Sequence, residues 1–113
     1  MVTVGGMEGL YLPLLAILNR GDEVIIPAPY WINYVQMVCM CSGEISIENI
    51  RKAITPKTKA IILNTPSNPS GRIISDDSIQ QIAQIAIEND LIVITDEVYK
   101  TLLYDNAHFK SIV

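Results

Sequence analysis

"KAIILNTPSNPSG", Lys59–Gly71, joins an apolar run to a segment holding two prolines, two serines, an asparagine and a glycine. Ala60–Leu63 is apolar at every position rather than at alternate ones. That pattern reads as a strand covered on both faces, as in a parallel sheet. The segment after it reads as a sharp polar turn. Pro66 and Pro69 restrict the backbone on either side of Asn68. The Asn68 amide can therefore be aimed at a ligand with little entropy loss. The same residues also suit an ordinary Asx-type turn.

Working outward, "SDDSIQQIAQIAIENDL" predicts a helix capped by Ser75 or Asp76. Acidic residues fill its first turn, and Ile79, Ile82, Ala83 and Ala86 face inward. "LIVIT" then predicts a strand ending at Asp96. "VYKTLLYDN" reads as a short helix or an irregular arm. Upstream, "MVTV" reads as a strand, which suggests a chain starting in mid-domain. "MEGLYLPLLAILN" predicts a helix with Leu10, Leu14, Ile17 and Leu18 on one stripe, Pro13 inside it and Gly21 as its C-cap. "EVII" predicts a strand stopped by Pro27 and Pro29, and "YWINYVQMVCMC" a helix. "SIENIRKAI" predicts a short helix with Ser46 as its N-cap. Strands alternating with helices give an α/β fold, a mostly parallel sheet with helices on both faces.

In such sheets ligands collect at the carboxyl ends of the strands. The unusual residues of this chain stand at those ends. Gly5-Gly6 opens a helix, where free N–H groups and the helix dipole favour an anion, although most such pairs are simple turns. Trp31 begins the next helix, either as a core residue or as a flat surface for a ring. Asn68 follows the third strand. Asp96 ends the fourth, where a carboxylate is costly to bury unless paired. It either caps the following segment or meets a cation, with Glu97 turned to a local partner. Tyr99 adds a phenol nearby. Phosphate cradle, stacking aromatic, amide and anion together suit a phosphorylated aromatic ring with a cationic nitrogen.

The 113 residues suffice for one domain, half of them hydrophobic. Net charge is −4, and no basic patch suggests nucleic-acid binding. Cys39 and Cys41 lack the spacing of redox or zinc motifs, and no metal set is expected. Free, buried thiols fit a reducing, cytoplasmic setting. No apolar stretch is long enough for a membrane span, and no signal peptide is visible.

"GDEVIIPAPYW", "AITPKTKAIILNTPSNPSG" and "VITDEVY" resemble the fold type I pyridoxal-phosphate aminotransferases, in particular the bacterial-type aspartate aminotransferase branch. The combination, in this order, is specific. The resemblance implies that this chain is part of the cofactor-binding large domain and that the cofactor is pyridoxal 5'-phosphate. It implies that Gly6 and Met7 hold the phosphate through their amides and that Trp31 stacks on the ring. Asn68 and Tyr99 would donate to the phenolic oxygen, and Asp96 would pair with the ring nitrogen. Trp31 and Asn68 would also meet the substrate carboxylate. Aspartate and a 2-oxo acid such as 2-oxoglutarate are the implied substrates, and a homodimer the implied assembly. An aromatic donor and a non-catalytic scaffold are the alternatives.

A carboxylate about 3 Å from a protonated nitrogen gains roughly 5 kcal/mol at an effective dielectric near 20, before desolvation. Three departures stand beside the resemblance. The family's lysine, usually in an S-x-S-K context, is absent, so no catalytic residue is assigned and this chain alone should be inactive. None of Arg20, Arg51 and Arg72 matches the substrate-carboxylate arginine. "CSGE" runs almost directly into "ISIENI", which predicts a missing segment, and a break in the chain, near residues 43–45.

Overall fold

The computed structural model describes residues 2–41, 43–46 and 50–113, except for the side chains of 44–46. Eight elements follow in order: α1 (Gly6–Ile17), β1 (Glu23–Ile25), α2 (Ile32–Met40), β2 (Glu44–Ser46), α3 (Ile50–Ala53), β3 (Thr58–Asn64), α4 (Asp76–Glu88) and β4 (Ile92–Asp96). The four strands form one sheet in the order β2-β1-β3-β4, and every pairing is parallel.

Strand periodicity divides the core in two. Val24, Ile26, Ala60 and Ile62 face Leu10, Leu14, Tyr34 and Val38 of α1 and α2. Ile25, Ile61 and Leu63 face Ala53 of α3 and Ile82 of α4. Helices therefore cover both faces, and this is why β3 is apolar at every position. α4 starts as expected, with Ser75 Oγ accepting the Ser78 N–H at 3.3 Å. Its buried side chains are Ile79, Ile82, Ile85 and Ala86, with Ala83 only half-buried. Pro13 lies inside α1.

Several sequence expectations need correction. The described part of "MVTV", residues 2–4, forms no strand: Val2 and Val4 are almost fully exposed. Their backbone serves a turn instead. Gly5 N–H donates to Thr3 O at 3.0 Å, and Val4 N–H donates to the Glu8 carboxylate at 2.5 Å, which anchors the start of α1. α1 ends at Ile17 with Leu18 in the cap position. Gly21, at φ +88°, shapes the turn into β1 rather than capping the helix. Ser46 belongs to β2 and does not cap a helix; residues 47–49 of "SIENIRKAI" lie outside the described residues. Cys39 is exposed while Cys41 is buried, since positions two apart point to different sides of a helix. The arm after β4 is irregular, made of turns.

Residues 44–46 form the edge strand of the sheet. They pair one for one with Glu23, Val24 and Ile25 of β1. The entry to β2 is tight. Gly43 N–H donates to Val38 O at 2.9 Å, and a Cβ on Gly43 would come within 2.8 Å of Val38 Cγ1. A side chain there would have to displace the Val38 side chain.

Candidate active site at the strand tips

β3 and β4 run side by side in register, with Asn64 opposite Asp96 at their ends. The chain then splits into two loops that stay tied together. Thr65 N–H donates to Asp96 O at 3.2 Å. The Asn64 amide donates to the same carbonyl at 3.1 Å, and its oxygen accepts the Asn68 N–H at 2.6 Å. The 65–74 loop is closed internally. Gly71, at φ +67°, donates to Ser67 O at 2.7 Å, and Ser67 donates to Arg72 O at 2.9 Å. Thr65 Oγ1 accepts the Ile74 N–H at 3.0 Å. Asn68 is thus held from both sides, with its neighbours Pro66 and Pro69 unable to donate. The side chain that holds this loop is that of Asn64, four residues back, and not that of Asn68 in an Asx-type turn.

Asp96 is half-buried, and each of its carboxylate oxygens accepts one hydrogen bond. Its Oδ2 accepts the Tyr34 hydroxyl at 2.7 Å, and its Oδ1 accepts the Val98 N–H at 3.2 Å. Tyr34 is fully buried at its position in α2. Burial first, and then the bond to and the charge of Asp96, with Tyr99 adding, hold its phenol far above the ordinary tyrosine range. The proton therefore stays on Tyr34 Oη, and Asp96 is presented as the acceptor. Each carboxylate oxygen keeps a lone pair for a further donor. Glu97 turns away to Ser111 Oγ and to Lys100, the latter at 3.7 Å.

Trp31 sits at the N-cap of α2. Its ring meets Tyr34 edge to face, with centroids 5.6 Å apart and planes at 84°. It packs on the core cluster yet remains half-exposed. Asn68 and Tyr99 line one cavity of about 330 Å³, together with Pro66, Leu102 and Tyr104. A second cavity, of about 190 Å³, opens between the ends of β1 and β3, lined by Pro29, Tyr30, Tyr34, Asn64, Ser67 and Arg72. It lies where the strand order reverses, which is where open sheets usually bind ligands. Asn64 stands beside it and is hydrogen-bonded to Asn68 of the first cavity.

The structure therefore links Trp31, Asn68 and Asp96 through Tyr34 and Asn64, and sets Tyr99 beside Asn68. Gly6 and Met7 lie at the exposed start of α1. No loop or side-chain hydrogen bond among the described residues joins them to the other four. A Cβ on Gly6 would meet nothing within 4 Å, so its backbone is open to an approaching anion. Sequence reasoning missed Tyr34 and Asn64. Tyr34 lies three residues after Trp31, the spacing that puts two side chains on one helix face. Asn64 is the last strand residue, opposite Asp96. Among the described residues, no group of His, Cys, Asp and Glu side chains could hold a metal ion. No helix among them is long and apolar enough to cross a membrane.

The profile of the family "Aminotransferase class I and II" matches residues 1–113. Among curated proteins, an aspartate aminotransferase of Bacillus sp. (strain YM-2) is 42% identical over 99% of this chain and 32% of its own length. An aspartate/prephenate aminotransferase of Thermus thermophilus is 38% identical over 96% of the chain and 32% of its own length. Among solved structures, an aromatic aminotransferase from Pyrococcus horikoshii superposes with a TM-score of 0.93 at 35% identity, covering 99% of this chain and 34% of that one. The chain spans about a third of the length of these relatives. The matched stretch of the Bacillus relative takes 125 positions against the 113 residues here, so that relative holds additional residues within it.

Proposed function

Because this chain belongs to the class I and II aminotransferases, a pyridoxal-phosphate-dependent family, we propose that the full-length protein transfers the amino group of aspartate, or of a related amino acid, to a 2-oxo acid such as 2-oxoglutarate. This chain contributes the central part of the cofactor-binding large domain. The segment it lacks relative to its relatives would fall near positions 43–45, beside the tight entry to β2. The Bacillus aspartate aminotransferase and the Thermus aspartate/prephenate aminotransferase support the substrate class.

One observation carries the reading: Asp96, at the tip of β4, is fixed by Tyr34 Oη and Val98 N–H and tied through Asn64 to the Asn68 loop. A carboxylate with two neutral donors, and no ion pair among the described residues, suits a cationic ligand atom. The donor set fits pyridoxal phosphate. Asp96 would hold the proton on the ring nitrogen. Asn68 and Tyr99 would donate to the phenolic oxygen, Trp31 would stack on the ring, and the amides of Gly6 and Met7 would take the phosphate. Trp31 and Asn68 would also orient the substrate carboxylate. When bound, the cofactor supplies a sink for the electron pair of the substrate Cα–H bond. Asp96 favours that sink by keeping the nitrogen positive, and the buried Tyr34 hydroxyl keeps Asp96 from turning away.

The lysine that anchors the cofactor in this family has no matching motif here, so this chain by itself should not turn over. We place the full-length protein in the cytoplasm as a homodimer acting on small molecules, with no nucleic-acid or membrane partner. A second reading, transfer from an aromatic amino acid, draws on the Pyrococcus neighbour and on Tyr99, Leu102 and Tyr104 around the Asn68 cavity. The test is to supply the full-length protein with pyridoxal phosphate, 2-oxoglutarate and either aspartate or phenylalanine, and to measure glutamate. Glutamate from aspartate supports the first reading, and glutamate from phenylalanine alone the second. Neither product, with no visible-region absorbance from bound cofactor, would leave a scaffold domain.

A further inference from the structure

We propose that Asn64 is a positioning residue whose side-chain amide sets the distance between the Asn68 loop and Asp96. The inference rests on the cofactor reading above and deepens it. Asn64 is the last residue of β3, in register with Asp96 of β4. Its side chain does two different things at once. Oδ1 accepts the Asn68 main-chain N–H at 2.6 Å, and Nδ2 donates to the Asp96 main-chain carbonyl at 3.1 Å. Only one orientation of the amide allows this, since the flipped one sets donor against donor and acceptor against acceptor.

No other side chain of similar size has both functions. Aspartate keeps the acceptor but turns an oxygen toward the Asp96 carbonyl. Leucine has neither group. The Asn68 N–H sits between Pro66 and Pro69, in a half-buried loop where those neighbours offer no N–H of their own. The two residues joined by this crossbar are those assigned to opposite sides of one aromatic ring. Asn68 faces the cavity shared with Tyr99, and Asp96 holds Tyr34. Removing the crossbar would therefore loosen both contacts together.

The test uses the full-length protein with Asn64→Ala and Asn64→Asp, with two readouts. The first is hydrogen exchange at the Asn68 amide without cofactor. The second is the dissociation constant for pyridoxal phosphate, read from its visible absorbance. Loss of a hydrogen bond in a half-buried loop predicts exchange ~10-fold faster in Asn64→Ala and cofactor binding ~10-fold weaker in both variants. Asn64→Asp retains the acceptor and should keep the Asn68 amide protected. In an Asn68→Ala background the Asn64→Ala factor on binding should shrink, because the group being aimed is gone. An equal factor in both backgrounds would mean a merely structural role and overturn the proposal. So would unchanged binding in both variants while the unaltered protein binds. If Asn64→Ala does not fold, the isosteric Asn64→Asp carries the binding arm alone. Absence of binding to the unaltered protein would sink the cofactor reading, and this inference with it.

Discussion

At its start β3 meets Glu23, whose Oε2 accepts the Thr55 hydroxyl at 2.6 Å and the Thr58 hydroxyl at 3.4 Å. At its end β3 meets Asp96, whose Oδ2 accepts the Tyr34 hydroxyl at 2.7 Å. Each is a carboxylate held by a neutral hydroxyl, yet the two clusters are built for different purposes. Around Glu23 the partners come from one short turn, closed by Thr55 N–H to Thr58 Oγ1 and Lys57 N–H to Thr55 Oγ1. That is how a tight turn satisfies its own polar groups. Around Asp96 the partners come from α2, β3 and the arm after β4. They stand beside a half-exposed tryptophan and a cavity that admits Asn68 and Tyr99. A bonded carboxylate alone says little; convergence of separate strand tips on open space says more.

Substitutions in the full-length protein can break or sharpen this contrast. The largest effect is expected for Asp96→Ala. It should lower the amino-transfer rate roughly 10³-fold, equivalent to about 4 kcal/mol of lost stabilisation. Thermal unfolding should move little by comparison. Near-normal turnover would make the two ends of β3 equivalent. Tyr34→Phe should follow, with a loss in kcat of ~10-fold and a smaller change in KM. It removes one charge-assisted bond of about 1.5–3 kcal/mol while leaving the ring packing on Trp31 in place. A larger effect on stability than on rate would place Tyr34 with the core rather than the site.

Tyr34 also sets a pH expectation. Its phenol is raised in the folded state, so its contribution to stability is complete below the ordinary tyrosine value near 10 and is lost only as pH rises beyond it. Ultraviolet titration should therefore show one phenol ionising only with alkaline unfolding, and Tyr34→Phe should remove that phenol from the late phase. The smallest effect belongs to the other end of the strand. Glu23→Ala should cost about 1 kcal/mol of stability, measured by urea unfolding, with the transfer rate unchanged.

Much of this contrast is legible in the sequence. Ala60–Leu63 and the α4 stripe announce a buried strand and an amphipathic helix, because burial on both faces leaves an unmistakable apolar run; "LIVIT" announces a strand too, although β4, at the sheet edge, is only partly covered. The strand tips also stand out, since prolines, glycines and a lone carboxylate are out of place beside such runs. β2 escaped, being three residues long at a sheet edge. "MVTV" misled for the opposite reason, because a β-branched run forms a strand only where another strand offers its edge. Gly21 looked like a helix cap, but Leu18 already ends α1 in extended backbone. Tyr34 and Asn64 were invisible for a different reason. Each is an ordinary residue in its own element and acquires its role only when register places Asn64 opposite Asp96 and packing brings α2 over β3.

The most direct measurement is the nitrogen-15 chemical shift of ring-labelled pyridoxal phosphate bound to the full-length protein and to its Asp96→Ala variant. A protonated ring nitrogen at neutral pH in the unaltered protein, and an unprotonated one in the variant, is the expected result. The same shift in both, or an unprotonated nitrogen opposite Asp96, would contradict the account.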